Sequence, residues 1–303
     1  MWQQRSRPFL LTLSALAFGL MGTPLHAAVV NVWIAAGQSN MTGSAATSEV
    51  PSDFMTVYPD ILYTQDVGEG IEPFGPLQPR LAANGVSRGR FGPEMGFGSA
   101  LDRSLGQYAI VKLARNGTSL NNHWQRGGGL RNLLISFTES SMTELSAMGF
   151  TPRLAGMLWV QGEGDANTTT VASRYQSNLR GLVSDVRDYF NSPDMLFLFN
   201  QAHEDLDRLA TSTLRLKQQA YANEDPNAHL ITIDDLELRD DFIHFPTDVH
   251  IEVGQRFASV ANANFIAVPE PSAVAGLLTL AVPLFFGRFT RKKSQRTVSR
   301  SFK

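Results

Sequence analysis

Asp241 and His244 stand three residues apart in the segment Asp240-Asp241-Phe242-Ile243-His244-Phe245. Within a single turn, that spacing lets the carboxylate reach its neighbour's ring and set the tautomer whose outward nitrogen accepts a proton. A base with its orienter built in can serve a hydroxyl nucleophile, and Ser39 in Gly37-Gln38-Ser39-Asn40-Met41 is suited to that part. It comes immediately after an apolar run, where a turn presents its hydroxyl and its own backbone N–H to one small volume. Taken singly, the same serine is a helix cap. Gly117, in Arg115-Asn116-Gly117-Thr118-Ser119, lets the backbone approach a ligand and donate an N–H to an oxyanion. The segment Trp159-Val160-Gln161-Gly162-Glu163-Gly164-Asp165 adds an amide donor and two acids. Either segment alone also reads as a capped loop. Asp248 and His250 form a second acid–imidazole pair, which leaves a rival base open.

These groups must be carried by elements that bring them to one edge. Short, nearly continuous apolar runs recur at Val29 to Ala36, Tyr108 to Ala114, Leu154 to Val160, Met195 to Asn200 and His229 to Ile233. Such runs suit parallel strands buried on both faces. Segments of helical spacing separate most of them, at Glu94 to Leu105, Leu130 to Met148, Val171 to Phe190 and Leu206 to Ala222, and a last one follows at His250 to Asn264. The alternation predicts an α/β fold: a three-layer α/β/α sandwich around a mainly parallel five-stranded sheet with right-handed crossovers. In such sheets ligands bind beyond the carboxyl ends of the strands, where Ser39, Gly117 and Gln161 fall. The stretch Thr42 to Pro93 is rich in Gly, Pro and Ser, lacks clear periodicity, and is expected to be an ordered excursion over the surface.

The chain of 303 residues is 43% apolar, enough for one large core, and its net charge of −2 gives no basic excess for nucleic acid. The two ends hold nine of the 26 basic residues, so the span between them is net acidic, which suits an uncharged partner better than a polyanion. There is no cysteine, and His123, His203, His229, His244 and His250 show no metal-ligand spacing, so neither metal nor cofactor is expected. Residues 1–28 read as a signal peptide: Arg5 and Arg7, an apolar run from Phe9 to Met21, then small residues to Ala28. At the other end, Pro269-Glu270-Pro271 precedes an uncharged run to Gly287 and the basic cluster Arg291-Lys292-Lys293. Residues 268–303 thereby resemble the PEP-CTERM sorting signal of Gram-negative bacteria. That resemblance implies a transient inner-membrane anchor, processing by an exosortase, and delivery to the cell surface or matrix of cells that secrete polysaccharide. A permanent C-terminal anchor is the alternative.

Between these ends, residues 29–267 carry five ordered segments that resemble the SGNH hydrolases, in the carbohydrate-esterase branch that includes sialate O-acetylesterase-like proteins and acetylxylan esterases. The segments are Ala36-Gly37-Gln38-Ser39-Asn40-Met41, Phe91-Gly92-Pro93-Glu94-Met95-Gly96-Phe97-Gly98, Asn116-Gly117-Thr118-Ser119-Leu120 with Trp124, Trp159 to Asp165, and Asp241 to Phe245 with Gly254-Gln255-Arg256-Phe257-Ala258. The resemblance implies a flavodoxin-like sheet, Ser39 as nucleophile, His244 as base and Asp241 as its partner. It further implies an oxyanion hole of the Ser39 and Gly117 amides with Gln161, and Glu163 as a supporting acid. Asn40 is expected to contact an acetylated carbohydrate, and Trp124 either joins the Thr42 to Pro93 excursion in a sugar-facing wall or belongs to the core. Two other readings stay open: a lipase or thioesterase of the same superfamily, marked by an apolar groove, and a non-catalytic polysaccharide-binding matrix protein.

Overall fold

In a computed structural model of the chain, residues 27–43, 45–50, 54, 56–68, 70–79 and 90–265 are described. All but the last two residues of the signal peptide expected at 1–28, and the sorting signal expected at 268–303, lie outside them. Among the described residues no helix is long and apolar enough to cross a membrane.

Every one of the five apolar runs forms a strand. They are β1 (Val29–Gly37), β6 (Gln107–Ala114), β7 (Thr151–Val160), β8 (Leu196–Asn200) and β9 (Ala228–Ile231). Their order in the sheet is β6-β1-β7-β8-β9, with every neighbour parallel. This is the doubly wound order in which the chain leaves β1 in one direction and returns on its other side, opening a crevice at the carboxyl end of β1.

The sheet nevertheless has seven strands, not five, and it is mixed. The surface excursion supplies the short strand β2 (Ala45–Ala46), the long β3 (Tyr58–Asp66) and the short β4 (Gly75–Leu77) before β5 (Arg90–Phe91). β3 adds to β6 in parallel, and β4 closes that edge antiparallel to β3. β2 and β5 pair separately. β3 escapes a periodicity search because its first half is exposed or half-exposed, and only Tyr63 to Asp66 form a continuous buried run. Pro59 lies near its start, ahead of Ile61 where pairing with β6 begins, so its missing N–H is not lost from that ladder.

Helices cover both faces. On one side α3 (Gly129–Ala147), α5 (Tyr175–Tyr189) and α6 (Thr211–Glu224) pack on the core built around Val32, Ile34, Trp159 and Phe197. On the other, α2 (Glu94–Ala100) and α7 (Thr247–Asn264) cover Trp33, Ile110 and Leu158. α2 and α7 approach so closely that a Cβ on Gly254 would lie 2.1 Å from the Pro93 carbonyl oxygen, which explains the glycine there. α1 (Ser39–Thr42) and α4 (Thr169–Ala172) are single turns.

Candidate active site

Ser39 opens α1 directly beyond β1. The turn needs Gly37, where φ is +150° and a Cβ would lie 2.0 Å from the Val160 carbonyl oxygen, so no side chain fits. The Gln38 N–H donates to Val160 O at 3.0 Å and the Arg115 N–H to Gly37 O at 3.1 Å, which ties the turn to both flanking strands. From below, the buried Lys112 ammonium donates to Thr42 O at 3.1 Å and pairs with Glu94 at 2.7 Å. Both Glu94 oxygens also accept from the Gly92 N–H.

His244 arrives from a segment without regular structure between β9 and α7. Its Nε2 lies 3.1 Å from Ser39 Oγ, and its Nδ1 lies 2.6 Å from Asp241 Oδ2. Asp241 Oδ1 accepts the backbone N–H groups of Ile243 and His244, both at 2.9 Å. Partial burial raises this carboxyl, but the hydrogen bonds from the His244 ring and the two amides outweigh it and bring it down to about 2, so the group is ionised at neutral pH. An anion on Nδ1 fixes that nitrogen as the donor and leaves Nε2 to accept the serine proton. Tight closure of this turn puts Phe242 at φ +53° with its side chain 52% exposed.

Ser39 and His244 line an open cleft of about 560 Å³, with Asp241 on the other side of the imidazole ring. Gly117, at φ +68° with open space around it, lines the same cleft, as do Glu163, Arg208 and Arg239. Gln161 takes a different place from the one expected. It is 1% exposed, and its amide nitrogen faces Asp165 at 2.7 Å, Gln38 Oε1 at 3.1 Å and Thr118 O at 3.3 Å. It is therefore committed to protein acceptors, and together with Asp165, which accepts from the Leu120 and Asn121 amides, it braces the loop carrying Gly117. Trp124 is also corrected: it is fully buried, donates to Thr118 Oγ1 at 3.0 Å and packs edge-on against Trp159, so it offers no sugar-facing surface. Asn40 is fully buried as well. Its amide bonds to Glu163, Ile243 and Phe245, not to the cleft.

Glu163 is nearly buried on the cleft wall, and desolvation raises its carboxyl above the ordinary carboxylate range. The rival base His250 is fully buried against Phe245, and burial pushes its ring down to about 3, so it is neutral and shut off from the cleft. Asp248 is exposed on the first turn of α7. Among the described residues no group of three or more His, Asp or Glu side chains could hold a metal ion. Arg208 and Arg239 were not among the expected site residues. The signal for Arg208 lay in its place beyond the carboxyl end of β8.

A serine hydroxyl, an imidazole and a carboxylate brought together at the switch point of a doubly wound sheet are the groups that acyl transfer needs, and by its family the chain is a carboxylic ester hydrolase. The profile of the carbohydrate esterase family described as sialic acid-specific acetylesterase matches residues 29–263, and the chain belongs to that family. Among curated proteins there is no match. Several solved structures share the fold, these three among them. A protein from Arabidopsis thaliana is 20% identical with a TM-score of 0.65, covering 78% of this chain and 99% of its own. NanS is 15% identical with a TM-score of 0.59 over 78% of this chain and 98% of its own. A carbohydrate acetylesterase from Xanthomonas citri is 18% identical with a TM-score of 0.57, covering 77% of this chain and 56% of its own.

Proposed function

We propose that the protein removes O-acetyl groups from a carbohydrate by way of an acyl-enzyme on Ser39. The observation that carries this reading is the unbroken chain of hydrogen bonds from Asp241 through His244 to Ser39, opening on a cleft. A hydroxyl at its free pKa is a poor nucleophile, so Ser39 gives its proton to His244 Nε2 as Oγ attacks the acetyl carbonyl. Asp241 stabilises the imidazolium. The oxyanion is received by the amides of Ser39 and Gly117, a contribution of about 3 to 4 kcal/mol per donor in comparable sites. His244 then protonates the departing sugar oxygen, and a water activated by the same ring releases acetate.

The cleft's lining favours a sugar over a lipid, since Gln38, Asn116, Asn167 and the two arginines give it hydrogen-bonding walls in place of an apolar groove. Arg208 and Arg239 also favour a sugar that bears a carboxylate, as the family's description names, although the acidic body of the chain points to a neutral one. Export by the N-terminal segment and sorting by the C-terminal one complete the proposal, with an acetylated surface or matrix glycan as substrate.

The test is acetate release by the purified protein from O-acetylated sialic acid and from acetylated xylan, beside an acyl-chain series on aryl esters. Ser39→Ala is expected to abolish turnover with an unchanged melting temperature. Turnover equal to the wild type in that variant ends the reading, and a preference for long acyl chains replaces it with a lipase.

A further inference from the structure

Asn40 sits beside Ser39 in sequence but spends its whole side chain on the histidine segment. Its Oδ1 accepts the Phe245 N–H at 3.1 Å, and its Nδ2 donates to the Ile243 carbonyl at 2.9 Å. These are the two neighbours of His244. The second N–H of Nδ2 goes to Glu163 Oε1 at 2.7 Å, and the other Glu163 oxygen is buried with no hydrogen-bond partner. An oxygen left in that state is costly to bury. Other ties of the histidine segment lead elsewhere: Phe242 O to the Asp207 amide, Leu236 O to the His203 ring, and Asp235 to Arg256.

We infer that Asn40 is a positioning residue that clasps the backbone on both sides of His244 and so sets its distance from Ser39, with Glu163 as the buried acid that fixes the Asn40 amide. The inference rests on reading Ser39 and His244 as the working pair. An amide is the group the place requires. The Phe245 N–H needs an acceptor, while Ile243 O and Glu163 each need a donor, and asparagine supplies both from one planar group. A carboxylate at position 40 keeps the bond to Phe245 and loses the other two.

The experiment compares wild type, Asn40→Asp and the double variant Asn40→Asp/Glu163→Gln on an aryl acetate, with melting temperatures alongside. A reacting pair misplaced by about 1 Å loses on the order of 100-fold in rate, so Asn40→Asp is expected to lower kcat by about that factor with KM changed much less. In the double variant the amide introduced at position 163 can donate to the carboxylate introduced at position 40, which restores the lost bond with reversed polarity. It is expected to recover kcat at least about tenfold over the single variant, for one regained charge-assisted bond. A kcat within about threefold of wild type in Asn40→Asp, well below that factor, overturns the inference. So does loss of activity only in step with loss of folded protein, or a double variant no better than the single one. Because an aryl acetate contains no sugar, these outcomes bear on Asn40 alone in an enzyme that Ser39→Ala silences. Turnover that survives Ser39→Ala refutes the underlying reading instead.

Discussion

The two segments that meet at the cleft are built in opposite ways. The Ser39 turn is fixed from every side, by Gly37 pressed against β7, by amide bonds to both flanking strands, and by the buried Lys112–Glu94 pair beneath Thr42. The His244 segment has no regular structure, leaves Asp241 and Phe242 exposed, and is held by hydrogen bonds reaching it from several elements, two of them from Asn40. The nucleophile is thus part of the sheet's own framework, whereas the base is delivered to it by a tether.

The contrast predicts that damage beneath the serine turn is costly and damage at the histidine tip is not. Lys112→Met leaves the Glu94 carboxylate buried without its cation, an arrangement that costs about 3 to 5 kcal/mol, to be read from the denaturation midpoint. Lys112→Met/Glu94→Gln removes the charge as well and is expected to regain most of the loss; a double variant no more stable than the single one would show that the pair is not what holds the turn.

Acid should weaken the same buried side next. His250 is buried with its ring brought to about 3 from an ordinary 6.5, so between those values the unfolded chain binds a proton that the folded chain excludes. Stability then rises with pH across that window and is lost as pH falls through it, at up to ~1.4 kcal/mol per unit. Denaturation midpoints measured from pH 7 to pH 4 should fall accordingly, and His250→Gln should flatten the slope. An equal slope in that variant would assign the acid sensitivity to other groups.

The smallest effect belongs to the histidine tip. Phe242 occupies a left-handed conformation that costs a non-glycine residue about 1 to 2 kcal/mol. Phe242→Gly is expected to leave the melting temperature unchanged or to raise it slightly, because relief of that strain offsets the glycine's greater freedom when unfolded. A fall of several degrees would mean that the tip is as firmly built as the turn, and the comparison would fail.

The same difference decides what could be read from the sequence. The five parallel strands were legible because burial on both faces writes a continuous apolar run. β3 was not, because half of it is exposed or half-exposed. Ser39, Asp241 and His244 could be picked out because strand ends and an i, i+3 spacing are local rules, and the three side chains do form one connected chain of hydrogen bonds. Gln161, Asn40 and Trp124 were assigned to the correct edge but to the wrong partners. Sequence position tells which rim a side chain sits on, while its direction depends on neighbours such as Asp165, Glu163 and Trp159, most of them from distant segments.

The added strands of the excursion have an effect far from the cleft. They leave the sheet bordered by its two shortest members, β4 with three residues and β9 with four. Among the described residues, a neighbouring copy seeking to extend this ladder finds three or four residues of edge strand on either flank, and on one of them Pro76 lacks an amide proton. A protein of this design can be crowded among its own copies with little tendency to stack into ribbons.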